Sequence, residues 1–398
     1  MVRFTIGAAL LAWGFIVIQS SAAQGACCYF AAKDKDINQP GQKAFITFDG
    51  GRKEESFTVQ PRFEGNAADF GMVIPIPSRP KLDEMPRDFF TELAVFTILE
   101  PMDLTKYKSM GRSGRGRGGA GGGGVDFAVR RAPSSVRVLE AGIVGSLDYK
   151  IISAEQASDL FDWLKSNNYT YSGDQSTLDF YIQKKWLFTT MKIDPKQMKT
   201  RPDGTYEGQI TPTRFTFQSE RIIYPLKITQ VSVKSNTEAL FYIQTADKVD
   251  LPGNMTYEHS FVPMWSQALS YAQANKVTPQ EAQWNENVQA LVPEFVQSVR
   301  NARSQSHEPA TLEWAKKITS KDIDVLSGNT RYNRDAPPDQ VEKLKLLKGH
   351  VAQGQFITKI RKVFSKDEMT DDLVFVKAKV NGMDDAIEYF SILPTSPP

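Results

Sequence analysis

Hydrolysis by carboxylates needs either an acid beside a base or two acids facing one another, and the chain offers three places to look. They are Asp69 at the head of a proline-studded stretch, Glu258 beside His259, and the adjacent pair Asp371 and Asp372. Neighbours on a strand point to opposite faces, so neither pair is an acid and base in working position, and acids at a surface turn are ordinarily just solvated. A glycosidase-like mechanism would need two carboxylates about 5–10 Å apart across a pocket. The sequence does not identify such a pair. Nucleophilic chemistry would have to use Cys27 or Cys28, which are adjacent and have no activating base nearby in the sequence. Adjacent Cα atoms lie closer than an ordinary disulfide prefers, so these two cannot act as a long-range staple for each other. A strained vicinal disulfide, a disulfide to a second chain, lipidation of Cys27 and free thiols all stay open. Gln24 stands where a lipidation signal usually has a Leu-like residue. His259, His307 and His350 are scattered and make no metal-ligand spacing with the cysteines. No metal site and no cofactor are expected.

The other chemically distinct stretch is basic. Residues 110–124 are mostly Gly, with Arg112, Arg115 and Arg117 interleaved, and residues 105–139 hold eight Lys or Arg against one acid, Asp126, a local net of +7 (8 − 1). Such a segment buries too little apolar area to offset its backbone entropy and reads as a mobile, solvated loop. Its arginines could touch an anionic envelope component, lipid head groups or polysaccharide. It lacks the aromatics that stack on bases and the Gly-Lys-Ser/Thr of a phosphate loop, so no specific nucleic-acid or nucleotide site is expected. Trp163, Tyr169, Tyr171, Tyr181 and Trp186 could form a sugar platform, but at helical spacing they read as core.

The elements that must position these residues follow from pattern. With 398 residues, 41% apolar and 24% charged, the chain is a folded protein of about two packed units. Its net charge of +2 selects no class of partner. Arg3, an uncharged apolar run over residues 4–18 and small residues at 20–23 have the layout of a secretory signal peptide. Cleavage is expected near residues 23–26, and no later stretch is apolar for the roughly 18 residues that a membrane span needs. The mature chain is expected to be exported, periplasmic or extracellular, without a transmembrane segment. Its oligomeric state is not indicated.

Alternation over residues 44–48 and 56–60 around Asp49-Gly50-Gly51 predicts a hairpin. Phe70 to Ile76 reads as a buried strand, which Pro75, Pro77 and Pro80 should end near Ile74 or place at a sheet edge. Pro86 should open a helix over 86–97. Strands are expected at 136–139, 149–152, 187–193, 214–218, 222–229 and 239–244. Helices are expected from a capping box at Ser153 and from Ser176. Helical patterns follow through 263–348, including 312–318, 321–326 and 338–348. Strands return at 355–363 and 373–380, with a short cap at 365–368. The segregation of strands from helices favours α+β with antiparallel or mixed sheets and packed helices. The expected organisation is a signal peptide (1–26), an α+β core (27–250), a mainly helical segment (251–349) and a C-terminal α+β segment (350–398) packing on the core.

Residues 57–65, and then 69–80 with Asp69, Phe70, Pro75, Pro77 and Pro80, resemble the opening of a bacterial exported family catalogued as domain of unknown function 2330. Blocks at 145–152, 160–169, 180–193, 210–226 and 356–375 resemble it in the same order. The resemblance implies an exported protein with cysteines just after the signal, and it brings no agreed activity and no catalytic residues. Some members carry a C-terminal anchor, whereas this chain ends Pro-Thr-Ser-Pro-Pro. The chain therefore reads as a non-enzymatic binding or envelope-associated module. A secreted carboxylate-based hydrolase and a structural component of a surface assembly are the alternatives.

Overall fold

The computed structural model describes residues 29–32, 41–60, 70–97, 136–169, 175–193, 211–233, 236–255, 258–259, 276, 310–329 and 338–378. Among them, β1 (Tyr29–Ala32), β2 (Gly41–Asp49), β3 (Glu54–Val59), β4 (Phe70–Ile76), β5 (Lys81–Glu84) and α1 (Phe89–Phe96) come first. Then follow β6 (Arg137–Val144), β7 (Leu147–Ser153), α2 (Ala157–Ser166), α3 (Gln175–Gln183), β8 (Leu187–Ile193), β9 (Thr213–Gln218) and β10 (Ile223–Tyr224). The remainder are β11 (Asn236–Thr245), β12 (Val249–Asp250), β13 (Glu258–His259), β14 (Thr311–Lys317), α4 (Ser320–Leu326), α5 (Pro338–Leu344), β15 (Phe356–Ser365), β16 (Leu373–Val374) and β17 (Val376–Lys377).

Two sheets dominate. One runs β13-β14-β15-β11-β2-β3-β9-β5 and the other β1-β4-β8-β7-β6. Pairing is antiparallel except for β11 with β2 and β13 with β14. Side-chain alternation explains the stacking. Ile46, Phe57, Phe215 and Phe241 of the larger sheet share a core with Ile74, Leu147 and Met191 of the smaller, so the sheets pack face to face. Phe57 stacks on its cross-strand partner Phe215 at 5.1 Å, a pairing that adds about 0.5–1.5 kcal/mol to burial alone.

The outer face of the five-stranded sheet, with Ile152 and Phe188, is covered by Leu160 and Leu164 of α2 and Leu178 and Tyr181 of α3. The outer face of the eight-stranded sheet, with Phe45, Tyr242 and Trp314, is covered by Phe89 and Leu93 of α1, Leu326 of α4 and Leu344 of α5. The architecture is α+β, in the layer order helix, sheet, sheet, helix.

Several local expectations change. β4 runs through Pro75 to Ile76 in the interior of its sheet, where Pro75 pairs with Phe188 of β8. On its other side the described ladder with β1 runs from Phe70 opposite Ala32 to Val73 opposite Tyr29. Of residues 312–318, expected as helix, 312–317 are strand: β14 pairs with β15, and a register shift between Leu312 and Trp314 disguises its period. Residues 222–229 give only β10, because Pro225 interrupts them and a 3-10 turn spans Lys227–Ser232. Ser153 ends β7 and caps no helix, since α2 starts at Ala157 without a side-chain cap. The strand expected at 373–380 divides into β16 and β17, which pair with different strands. α1 begins at Phe89, three residues after Pro86, whose carbonyl accepts the Phe89 N–H.

Candidate functional site

On the outer face of the eight-stranded sheet the helices cover Phe45 and Tyr242, and one pleat further along the strands the side chains turn polar. Register places Gln244 of β11 opposite Thr47 of β2, Thr47 opposite Ser56 of β3, and Ser56 opposite Thr216 of β9. These four side chains form one row across four strands. The Thr47 and Ser56 hydroxyls bond at 2.7 Å. The next row toward the helices runs Phe45, Thr58, Arg214 and then Asp83 of β5.

A roof closes over this floor. The Gln244 amide donates to the His350 carbonyl (3.2 Å) and accepts from the Ala352 N–H (2.9 Å), clamping the segment after α5 to the sheet. Gly349 turns that segment with φ of +85°, a conformation that disfavours a side chain. Floor and roof enclose a cleft of about 300 Å³.

The charges in the cleft are of two kinds. At the rim Arg52 is held by Asp49 at 2.8 Å and lies 3.6 Å from Glu54. Hydrogen bonds from the Arg52 backbone and guanidinium hold Asp49 below the usual carboxylate range. On the floor Arg214 is half-buried, and burial lowers its pKa. Its Nε donates to Thr58 Oγ1 (3.4 Å) and its Nη2 donates to His350 Nδ1 (3.2 Å). Arginine has no acceptor, so Nδ1 must accept and the His350 proton sits on Nε2. Burial, and then the Arg214 charge, push His350 below the ordinary histidine range, so the ring is neutral at pH 7. The cleft therefore presents a cation, a neutral imidazole, and a row of hydroxyls and an amide on a rigid floor.

The residues singled out from sequence lie elsewhere. Cys27, Cys28, Asp69, Arg112, Arg115, Arg117, Tyr171 and His307 fall outside the described residues. Phe70 opens β4, and Pro75, Pro77 and Pro80 carry the chain from the five-stranded sheet into β5 of the eight-stranded one, with Pro75 and Pro80 buried. The proline stretch is a crossover between sheets. Glu258 and His259 form the edge strand β13.

Asp372 is buried rather than solvated. It accepts from the Tyr181 hydroxyl (2.6 Å) and from Lys184 (3.1 Å), and burial raises its pKa. Asp371 receives the same lysine at 3.0 Å. This pair ties α3 to the segment before β16 and faces no pocket partner carboxylate among the described residues. Trp163, Tyr169, Tyr181 and Trp186 belong to the core or its margin beneath α2 and α3. Among the described residues no group of three His, Cys, Asp or Glu is placed to hold a metal, and no helix is long and apolar enough to cross a membrane. Sequence reading missed Arg214, Gln244, Ser56 and Thr216, and it took His350 only as a scattered histidine. Their signal was the polar side of strands already expected.

The family model for domain of unknown function 2330, described as an uncharacterized protein conserved in bacteria, matches residues 21–375, and the chain belongs to that family. No curated protein and no solved structure matches it.

Proposed function

We propose that this member of the bacterial family is an exported binding module that takes a small polar solute in the cleft over β11, β2, β3 and β9. Export is supported by the charged, apolar and small-residue layout of residues 1–26. Binding is supported above all by one observation: the cleft is already formed, with its roof clamped to the sheet through both ends of the Gln244 amide. A preformed concave site with a few convergent polar groups is the usual build of a small-molecule site. Turnover by a carboxylate pair is disfavoured by the same geometry. Asp49 and Glu54 are turned to Arg52, and Asp49 is held acidic, the opposite of what a general acid requires.

A thermal-shift screen of sugars, sugar acids, amino acids and dicarboxylates tests this, run on the parent chain beside Thr216→Trp, which fills the cleft. A ligand at about 100 times its Kd adds about 2.7 kcal/mol to the folded state. A compound that raises Tm in the parent and not in the variant is the expected result. Identical shifts in both, or conversion of the compound to products, would overturn the reading. N-terminal sequencing of chain from its host tests export, and a cytoplasmic chain retaining Met1 would refute it.

A further inference from the structure

We propose that the ligand enters this cleft by an oxyanion, a carboxylate or a phosphoryl or sulfuryl group, which Arg214 receives while the hydroxylated body of the ligand lies along Gln244, Thr47, Ser56 and Thr216. This rests on the cleft being the binding site argued above and names what it recognises.

The argument begins with an unmet charge. Arg214 is half-buried, and its hydrogen bonds go to neutral acceptors, Thr58 Oγ1 and His350 Nδ1. A guanidinium has five N–H groups, so most of its donor capacity is unspent. No carboxylate lies within hydrogen-bond reach of it among the described residues. Its cross-strand neighbour Asp83 acts on it only through charge and is itself held by Lys81 at 2.9 Å. A cation taken partly out of water against neutral acceptors alone is unfavourable, and an oxyanion in the cleft would relieve that cost. Arg52 in the same cleft is the internal contrast, because its carboxylates are already in place. The planar fork of Arg214 suits the two oxygens of a carboxylate or phosphoryl group.

The rest of the floor sets the ligand's body. The Thr216 hydroxyl makes no hydrogen bond among the described residues, and the Thr47 and Ser56 hydroxyls, bonded to each other, still have one proton between them to give. Alternating donors and acceptors along one row match a chain of hydroxyls better than an apolar surface. A cleft of about 300 Å³ is at the small end for ligand sites and suits a single small molecule.

The test is isothermal titration of the purified full chain with glucuronate, acetate, inorganic phosphate and sulfate, with glucose as the neutral control. NMR of the labelled histidine rings follows His350, whose Nδ1 faces Arg214. Glucuronate should bind at least about tenfold more tightly than glucose and move the His350 resonance, and phosphate or sulfate binding more tightly than acetate would mark an ester ligand rather than a carboxylate. Arg214→Gln should lose about tenfold or more in affinity. Arg214→Lys, which keeps the charge without the fork, should lose less, and it decides the matter if the glutamine variant is unfolded by circular dichroism. Glucose binding as tightly as glucuronate, or parent affinity in the folded variants, overturns the oxyanion while leaving the cleft as a solute site. No probe of either kind moving His350 overturns both readings.

Discussion

Replacing Glu55 by Gln should change how stability depends on pH, because that carboxyl is buried in the core of the sheet sandwich without enough partners to be charged. Glu55 is fully buried, its Oε2 accepts the Ile223 N–H at 3.0 Å, and its Oε1 has no partner. Ser219 lies close, but its hydroxyl donates to the Arg221 carbonyl at 2.6 Å, which commits its proton. Burial raises the Glu55 pKa well above the usual range, and the Ile223 N–H offsets this only in part.

The sign follows from proton linkage. With the folded pKa above the unfolded one, the native state holds the extra proton. Its stability is complete below the unfolded value and is lost as pH rises toward the folded value. Within that window each pH unit removes about 1.4 kcal/mol. Glu55→Gln keeps the Ile223 bond and cannot ionise. It leaves amide hydrogens unpaired, a loss of about 1–3 kcal/mol that does not vary with pH. In urea unfolding from pH 4.5 to 9, the variant should be the less stable at the acid end, and the gap should close or reverse toward the alkaline end. Subtracting the two curves removes the contributions of Asp372, His350 and every other group the proteins share. Parallel curves would refute the reasoning, since they would mean that Glu55 ionises in the fold as easily as out of it.

Tyr181→Phe removes the donor to Asp372 and the acceptor of the Ile228 N–H (3.0 Å), and should cost about 1–3 kcal/mol in urea unfolding; a loss below about 0.5 would show that this link does not hold α3 in place. Thr319→Ala breaks the reciprocal capping of α4 with Asp322 and should cost about 1 kcal/mol, while Thr319→Ser should stay close to the parent. Arg112, Arg115 and Arg117 together changed to Gln should abolish low-salt co-sedimentation with anionic vesicles, at about 1 kcal/mol per arginine near the surface, and equal retention at every salt concentration would leave the segment a plain insertion.

Strands whose two faces differ in character were readable in the sequence. The hairpin of β2 and β3, the strand β8 and the short turn at 365–368, where Glu368 accepts the Ser365 N–H, stand where pattern placed them. Patterns failed where a tertiary partner set the outcome. β14 is apolar on both faces, with Leu312 and Ala315 in the core between the sheets and Trp314 under the helices, and its bulge shifts the period toward a helical one. The interior position of β4 could not be seen from its prolines, since its neighbours β1 and β8 come from distant stretches of the chain.

The cleft was hidden for a related reason. Thr47, Ser56, Thr216 and Arg214 are what a solvated strand face carries, so their types alone do not separate a floor from an open surface. Enclosure comes from residues far along the chain: His350 reaches Arg214 across 136 positions and Gln244 across 106. The one local departure is Gln244 itself. It follows five consecutive buried apolar residues, Ala239 to Ile243, and is itself buried, on the same face as Tyr242 and Leu240. A buried amide at the end of such a run must find partners, and it finds them in the backbone of 350 and 352. That demand draws the roof onto the sheet, and the roof brings His350 against Arg214, turning an ordinary polar strand face into a site with an unspent cation.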